Sequence, residues 1–473
     1  MKKSTVKEKT ERIIPLPISK FIDTKFRDYA VYVLEARGIP SFYDALTPVQ
    51  RYILQNTPTS FVKTLSVVGE SIKDGYHHGD MSLGKAISRL ARPFGSSEQI
   101  LEGYGFFGTE VEPTAAAARY TQVKLTKKTH EVLSQYKHLT TRDEDGAYDP
   151  LWMDIPLGLT SSIIGIAVGY KTTILPRKMK DIQDFLAGKI DRVKPHFQGF
   201  GGTIRQYKDL DKAWLISAKI KLVGGNRIEI RELPPIMKYT SALKKLDTLF
   251  SEFEGNIRIL NNSDKRVIID IVYRGKDSKE WKIIQDRIKK MFSIVVTETP
   301  VFIKDDQVLV YESVEEYLKD YKWQVKRLAY RNTEWERNFL QKELDFNIAK
   351  EQFIKFILEK RRSVQEIDIF LKPFNVIVRD RLERLTSKKF TKDELTMVKA
   401  KIKELTSALK KKERELKRNQ TAFEKAKDPT LKRGVKSQKS KINLLEYELD
   451  QINGIEVWGG EDIIDDIEED EIG

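Results

Sequence analysis

The most regular hydrophobic pattern lies in the second half of the chain, where residues 276–433 contain no glycine and residues 301–372 contain no proline. A stretch without these breakers favours long helices. Ser313 followed by Glu316 is a capping-box pattern that predicts a helix start. Apolar and aromatic residues then recur at spacings of three and four, interrupted by Asn332: Tyr321, Val325, Leu328, Trp335 and Phe339. Such a stripe is typical of a coiled-coil seam.

A second stripe follows after a break. Its members are Leu395, Val398, Ile402, Leu405, Leu409, Leu416 and Phe423. Between the stripes lie Lys372-Pro373-Phe374-Asn375 and a further candidate helix start at Thr391. We interpret this as two long antiparallel helices with a compact helical segment at their far end. An ordinary helical bundle packed on the rest of the protein fits the same periodicity.

The first 310 residues have a mixed pattern. Short β-type apolar runs occupy 163–168, 228–230 and 266–273, and the glycine pairs Gly201-Gly202 and Gly224-Gly225 mark turns or hairpins. The predicted fold class is therefore mixed α/β and mostly α.

Composition narrows the function classes. At 473 residues the chain is long enough for roughly three domains. A net charge of +14 permits a polyanionic partner. The absence of cysteine excludes disulfides and cysteine-based metal or nucleophile chemistry. Neither a secretory signal nor an apolar run long enough for a membrane span is visible, so we expect an intracellular, cytoplasmic protein.

Charge is segregated near the C-terminus. Residues 461–473 carry 8 acidic and no basic side chains, after a strongly basic stretch at 401–441. A solvated basic helix followed by an acidic tail explains this pattern. A weak DNA contact and an intramolecular DNA mimic are the functional alternatives.

Two of the five histidines are adjacent, His77 and His78, in the segment Gly75-Tyr76-His77-His78-Gly79-Asp80. Adjacent side chains point apart on a helix or strand, which argues against a shared metal. Proton handling or phosphate contact fits better, with a purely structural turn as the alternative.

A short amphipathic helix is predicted from Asp80, the expected N-cap, to Arg92. Its apolar face is Leu83, Ile87 and Leu90, and its basic stripe is Lys85, Arg89 and Arg92. A helix with one apolar and one basic side suits the second helix of a helix-turn-helix, although many surface helices look similar.

A stretch of small residues, from Tyr104 through the four alanines 115–118, leads directly to Arg119 and Tyr120. A guanidinium is a rigid fork for phosphate oxygens, and a phenol can attack phosphorus and leave again. With 18 tyrosines in the chain, this pairing alone does not identify a nucleophile.

Taken in order, these segments resemble the breakage–reunion subunit of type IIA DNA topoisomerases, the gyrase A and topoisomerase IV A kind. The matching segments are RDYA at 27–30, RGIP at 37–40, LTPVQR at 46–51, VVG at 67–69, YHHGD at 76–80, GYGFFG at 103–108, AARY at 117–120, GIAVGY at 165–170 and IRELP at 230–234. The histidine pair and PHFQGFGGTI at 195–204 are similar to eukaryotic topoisomerase II and to the separate-subunit phage enzymes, which the chain matches best in layout.

The resemblance implies a domain plan. Residues 1–25 would be an N-terminal arm, 26–155 a winged-helix (helix-turn-helix) DNA-cleavage domain, and 156–312 an α/β tower domain. Residues 313–455 would form a long antiparallel coiled coil with a helical dimerisation gate around 372–396, and 456–473 an acidic tail.

The resemblance also implies residue roles. Tyr120 would form a transient 5′-phosphotyrosyl bond, with Arg119 stabilising the phosphoryl charge, while His78 and Arg37 would act at the scissile phosphate. Ile166 would be the wedge that unstacks and bends the duplex. The expected phosphate contacts are His77, Arg51, Lys63, Lys85 and Arg89.

The implied activity is double-strand cleavage and religation for passage of a second duplex, in a homodimer completed by a separate TOPRIM/ATPase subunit that holds Mg²⁺ and ATP. This chain shows no TOPRIM acidic motif, no P-loop and no metal site of its own. It has no room after residue 455 for a DNA-wrapping domain, which favours relaxation and decatenation over supercoiling. The alternatives are a non-catalytic DNA-binding and bridging protein on the same scaffold, and another tyrosine strand-transferase such as a recombinase.

Overall fold

The computed structural model describes residues 25–34, 38–140, 150–208, 210–305, 307–386, 389–431 and 433. These residues form a mixed α/β protein in which more residues are helical than extended, as the sequence predicts. All strand pairing in the named sheets is antiparallel. The predicted N-terminal arm, apart from residue 25, and the acidic tail lie outside the described residues.

The N-terminal elements are five helices and a small sheet. They are α1 (Arg27–Val33), α2 (Pro48–Asn56), β1 (Val62–Lys63), α3 (Thr64–Lys73), α4 (Asp80–Ala91), β2 (Leu101–Tyr104), β3 (Gln122–Leu125) and α5 (Lys127–Gln135). Helices α2, α3 and α4 contact one another, and the strand order is β1-β3-β2. Leu83, Ile87 and Leu90 face the core as the spacing predicts. This is how the apolar face of α4 leaves its basic residues on the surface.

The next elements form a hairpin, a helix and the start of a second sheet. They are β4 (Ile163–Ala167), β5 (Tyr170–Ile174), α6 (Met179–Leu186), β6 (Thr203–Tyr207) and β7 (Leu210–Ser217). The apolar run predicted at 163–168 is the β4 strand. Its hairpin and α6 pack into the same hydrophobic core as α2–α4, and that core extends to residue 193. The core therefore crosses the domain boundary expected at 156, because an apolar run does not reveal which core its strand joins.

A second hydrophobic core belongs to a four-stranded sheet covered by two helices. Its elements are β8 (Lys219–Val223), β9 (Arg227–Glu232), α7 (Tyr239–Glu252), β10 (Ile257–Asn261), β11 (Ile269–Tyr273) and α8 (Ser278–Met291). The strand order is β10-β11-β9-β8. The pair Gly224-Gly225 forms the β8–β9 turn with φ values of 60° and 77°, a region that favours glycine. Gly201-Gly202 instead precedes β6 and joins no hairpin.

The chain then returns to the first core. Strand β12 (Ser293–Thr297) pairs with β7, and β13 (Val301–Lys304) forms a hairpin with β14 (Gln307–Val310). The crossing point is held by the buried ion pair of Arg177 with Glu298, whose nearest N–O distance is 2.7 Å. The indole of Trp214 also donates to Glu298, so three segments meet at one carboxylate.

Two long helices and two short ones complete the described fold. They are α9 (Val314–Glu359), α10 (Val364–Leu371), α11 (Val376–Glu383) and α12 (Lys392–Glu424). Helix α9 starts where predicted, since the Ser313 hydroxyl accepts from the Glu316 amide, but the Glu316 carboxylate accepts from the Glu312 amide rather than closing a capping box on Ser313. Thr391 caps α12 as predicted.

Helices α9 and α12 pack antiparallel, as the two stripes predict. Near one end Tyr330 stacks on Phe423, and near the other Lys350 pairs with Glu394. The predicted seam is wrong at Trp335 and Phe339, which are 41% and 51% exposed and stack on each other, with Trp335 also in contact with the His138 ring.

The seam at that level is narrower and partly polar. Thr333 accepts a hydrogen bond from Asn419, and Leu344 packs against Leu405 and Leu409. Large aromatics at helical spacing fit a seam and a second packed face equally well, which is why the pattern misplaced two of them.

Two buried tyrosines fix the base of α9 in the first core. The Tyr317 hydroxyl donates to the carbonyl of Phe42, and the Tyr321 hydroxyl lies 2.8 Å from the carbonyl of Tyr43 and 2.7 Å from that of Met153. Burial raises the pKa of both phenols well above the usual value. None of the helices in the described ranges is both long and apolar enough to cross a membrane.

The Arg177–Glu298 pair generates a stability prediction. Replacing Glu298 by Gln leaves a buried guanidinium without its counter-charge, so we expect the free energy of unfolding to fall by about 3–5 kcal/mol. Urea denaturation measures the change. The matched control is Glu312→Gln, which removes the 83% exposed partner of Lys212 and is expected to cost less than about 1 kcal/mol. Equal losses for both variants would contradict this account.

Candidate functional site

Tyr120 lies on the surface next to a buried residue. Its side chain is 65% exposed, whereas that of the following Thr121 is 1% exposed. The peptide turns sharply here, with the Tyr120 amide donating to the carbonyl of Ala117 at 2.8 Å. The phenol is thus presented to solvent directly before β3 enters the core.

The tyrosine segment is fastened to the start of α3. The Thr64 and Thr121 hydroxyls are 2.8 Å apart, and the Thr64 amide donates to the Thr121 carbonyl at 3.0 Å. The Leu65 amide donates to the Ala118 carbonyl. Exposed Lys63 lies opposite Gln122 in the β1–β3 pairing, which places this predicted phosphate contact on the strand beside the tyrosine.

Arg119 covers the tyrosine ring. Its guanidinium carbon lies 4.7 Å from the centroid of Tyr120. A guanidinium in this position is attracted to the ring face and keeps its N–H groups available for an anion close to the phenol. The structure therefore brings together the two residues whose pairing the sequence singled out.

The loop before Arg119 folds back on itself through small residues. Gly108 has φ +87°, and a Cβ at this position would lie 2.5 Å from the carbonyl oxygen of Pro113. The Ala116 amide donates to the Phe106 carbonyl at 3.0 Å. Small residues allow this close backbone approach within the loop.

The histidine pair is organised by a residue that the sequence analysis missed. The Tyr32 hydroxyl lies 3.1 Å from Nε2 of His77 and 3.4 Å from Nε2 of His78, whose rings are 4.4 Å apart. Nδ1 of His77 also lies 3.4 Å from the Gly75 carbonyl, and the His78 ring packs edge-on against Tyr76. The RDYA segment at 27–30 drew attention to this region, but no sequence pattern connected Tyr32 to His77.

Helix α4 presents Lys85 and Arg89 on its exposed face, as predicted. Asp80 is not the N-cap. Gly79 occupies that position without a side-chain cap, and Asp80 is the first helical residue, where its charge favours the positive end of the helix dipole.

Ile166 is 44% exposed on the β4–β5 hairpin although it stands in an apolar run. Its neighbour Gly165 packs on the chain segment at Gly38, because a Cβ on Gly165 would lie 1.9 Å from the Gly38 carbonyl oxygen. The backbone next to Arg37 thus touches the strand of Ile166. Arg37 itself lies outside the described residues.

The expected phosphate contact at Arg51 is corrected by the structure. Its side chain is 10% exposed and forms a 2.7 Å ion pair with fully buried Asp44, and it also donates to the Leu46 carbonyl. Asp44 accepts from the Leu151 amide as well. Because the guanidinium is bound to partners within the core, Arg51 stabilises the fold.

The described part of the chain contains no group of three or more His, Asp or Glu side chains that could hold a metal ion.

Comparisons with known proteins agree with one another. The family model for the A subunit of DNA gyrase/topoisomerase IV matches residues 37–428. The DNA gyrase A subunit of Leptospira biflexa is 28% identical over 458 residues, covering 85% of this chain and 54% of that protein. The DNA topoisomerase medium subunit of Enterobacteria phage T4 is 25% identical over 385 residues, covering 74% of this chain and 82% of that protein.

Among solved structures, the DNA-binding, cleavage and re-ligation domain of Plasmodium falciparum topoisomerase II is similar in fold. The TM-score is 0.70 at 20% identity, over 91% of this chain and 65% of that one. The chain spans about half the length of the gyrase A relatives it matches.

The contact between Gly165 and Gly38 can be tested by adding one methyl group. Gly165→Ala forces a backbone shift, and we expect it to lower the free energy of unfolding by about 1–3 kcal/mol. Gly69→Ala, in the middle of α3 with open space around its Cβ, should raise stability by about 0.5–1 kcal/mol. Urea denaturation of both variants checks the opposite signs, and a stable Gly165→Ala protein would refute the contact.

Proposed function

The chain belongs to the family of DNA gyrase/topoisomerase IV A subunits, and we propose that it is the component whose Tyr120 cleaves and religates DNA in an ATP-dependent type IIA topoisomerase. The observation that carries this proposal is the exposed phenol of Tyr120 beneath the guanidinium of Arg119.

The proposed reaction exchanges one phosphodiester for another. The Tyr120 phenolic oxygen attacks a backbone phosphorus, the bond from phosphorus to the 3′ oxygen of the neighbouring nucleotide breaks, and that oxygen takes up a proton as the phenol loses one. The product is a 5′-phosphotyrosyl bond and a free 3′ hydroxyl. Because the bond count is unchanged, the reverse attack reseals the strand without an outside source of energy.

Arg119 supplies positive charge where the phosphoryl oxygens gain negative charge during transfer. Its position over the ring, with the guanidinium carbon 4.7 Å from the ring centroid, supports this role. His78, held with His77 by Tyr32, is proposed to contact the scissile phosphate, and Arg37 to reach the same site.

The exposed Ile166 is proposed to unstack one base step, while Lys63, Lys85, Arg89 and His77 contact the backbone. Unstacking costs a few kcal/mol per step and is offset by the contacts that a bent duplex makes.

The described architecture supports the assignment of α2–α4 with β1–β3 as a winged helix. The four-stranded β8–β11 sheet with α7 and α8 corresponds to the tower, and α9 with α12 to the coiled coil. Residues 26–155, 156–312 and 313–455 remain the proposed limits of these domains.

The far end of the long helices supports a homodimer. Large apolar side chains are exposed there, three of them above 70%: Val364, Val376 and Ile377. A soluble protein seldom leaves such side chains clustered in water without a partner. We propose that α10 and α11 form a dimerisation gate.

Mg²⁺ and ATP are proposed to be bound by a separate TOPRIM/ATPase subunit, giving a cytoplasmic heterotetramer that relaxes or decatenates DNA. The phage relative is itself described as a medium subunit, which is consistent with divided subunits.

The nucleophile can be tested by removing one oxygen. The full chain is combined with the TOPRIM/ATPase subunit of its own source, Mg²⁺ and supercoiled plasmid, and quenched with detergent. Wild type should become linked to DNA 5′ ends, and Tyr120→Phe should lose linkage and strand passage by at least about 10³-fold. Tyr104→Phe is the matched control, because that phenol is 66% exposed on the adjacent strand β2.

Three outcomes would contradict the proposal. Linkage that persists in Tyr120→Phe would place the nucleophile elsewhere. DNA binding by wild type without linkage would favour a non-catalytic bridging protein. Linkage to 3′ ends would indicate a different class of strand transferase.

The gate can be tested by placing charge on it. Ile377→Asp buries a carboxylate in the proposed interface and should convert the dimer to monomers at low micromolar concentration, measured by sedimentation equilibrium. Ile283→Asp, on the 60% exposed position of α8, is the control and should remain dimeric. A dimeric Ile377→Asp protein would exclude this surface as the dimer contact.

A further inference from the structure

Arg92 ends helix α4 and differs from the other largely buried arginines. Arg51 has Asp44 at 2.7 Å, and Arg177 has Glu298 at 2.7 Å. For Arg92, the described part of the chain provides neither a carboxylate partner nor a side-chain hydrogen bond, and its Nε is buried without an acceptor. A guanidinium carries five N–H donors, and a buried N–H without an acceptor is costly.

The protein nevertheless shapes a place for this side chain. Its guanidinium carbon lies 4.9 Å from the centroid of the Phe94 ring. A Cβ on Gly95, which has φ +79°, would lie 2.8 Å from Nη2 of Arg92. The Phe94 ring contacts the guanidinium on one side, and the lack of a side chain at Gly95 leaves room for it on the other.

The electrostatic environment of Arg92 favours the binding of an anion. Burial, with the neighbouring charge of Arg89 as a second cause, lowers the pKa of Arg92 to about 10. Two cations thus stand close together at the end of α4. An anion bound between them would relieve both the repulsion and the lost hydration.

We propose that the guanidinium of Arg92 is a binding site for a backbone phosphate of duplex DNA, completed only when the duplex lies on α4. This inference rests on the proposed function. Arg92 would be a positioning residue that sets the register of the duplex, because its fork accepts phosphate oxygens in a fixed geometry.

The placement favours DNA over a protein carboxylate. Lys85 and Arg89 lie one turn apart on α4, and Arg92 is the C-cap residue three positions after Arg89, so phosphates along one strand can meet all three. The loop after Arg92 is also tied to the wedge hairpin, since the Ser162 hydroxyl donates to the Gly95 carbonyl at 3.2 Å just before β4. A duplex that spans α4 and Ile166 passes this loop.

The test is DNA binding by the full-length chain, measured by fluorescence anisotropy with a labelled duplex over a range of KCl concentrations. Arg92→Gln should bind about tenfold more weakly. Its slope of log K against log salt should fall by about 0.9, the value for one lost phosphate contact. Arg92→Lys should keep the slope and lose affinity, because it retains the charge without the fork. Arg258→Gln, which removes an exposed charge from β10, is the matched control and should behave as wild type.

Thermal unfolding separates binding from folding. Because Arg92→Gln removes an unpaired cation, the free variant should melt at the wild-type temperature or above it. A markedly lower melting temperature would show a structural role and overturn the inference. An unchanged slope and affinity would also overturn it, as would an unchanged slope together with lost assembly with the partner subunit, which would identify a protein carboxylate as the occupant. Failure of wild type to bind duplex would instead overturn the proposed function itself.

Discussion

The site depends on one abrupt change in burial, from the exposed phenol of Tyr120 to the buried hydroxyl of Thr121. The hydroxyl pair of Thr64 and Thr121 ties the tyrosine segment to the first residue of α3. A nucleophile that must meet a phosphorus atom in line gains from such anchoring, since misplacement by about 1 Å can cost about 10²-fold in rate. Exposure makes the phenol reachable, and the threonine pair makes its position reproducible.

The same core that positions Tyr120 also holds the base of the long helices. Tyr317 and Tyr321 donate to backbone carbonyls of residues 42, 43 and 153. The segment that follows α12 returns to this region, where Arg433 contacts Asp320 and Lys304 contacts Asp428. The long helices are therefore joined to the first hydrophobic core at the start of α9 and after the end of α12. The helix pair thus links the proposed gate physically to the core that carries Tyr120.

Sequence patterns predicted what depends on local periodicity. The start of α9 at Ser313, the cap at Thr391, the β4 run and the buried face of α4 follow from short-range spacing, and the structure confirms them. The pairing of Arg119 with Tyr120 was also accessible, because the two residues are adjacent. Patterns failed where the deciding partner is distant or ambiguous. In sequence Arg51 has no visible partner, whereas in the fold it pairs with Asp44. Trp335 fits the spacing of the predicted seam, but in the fold it is 41% exposed.

Tyr32 and Arg92 show the limit most clearly. Tyr32 organises a histidine pair 45 residues away, a contact that only the fold creates. Arg92 appears in sequence as one more member of a basic stripe, equivalent to Lys85 and Arg89. What distinguishes Arg92 is that its buried Nε lacks a hydrogen-bond acceptor in the described structure, and no sequence pattern indicates this. Buried charges elsewhere in the described protein are matched by carboxylates of the same chain. In a protein that otherwise pairs its buried arginines, an unpaired one on the basic face of α4 points to a counter-charge that arrives from outside, and a DNA backbone supplies such charges at regular intervals along that face.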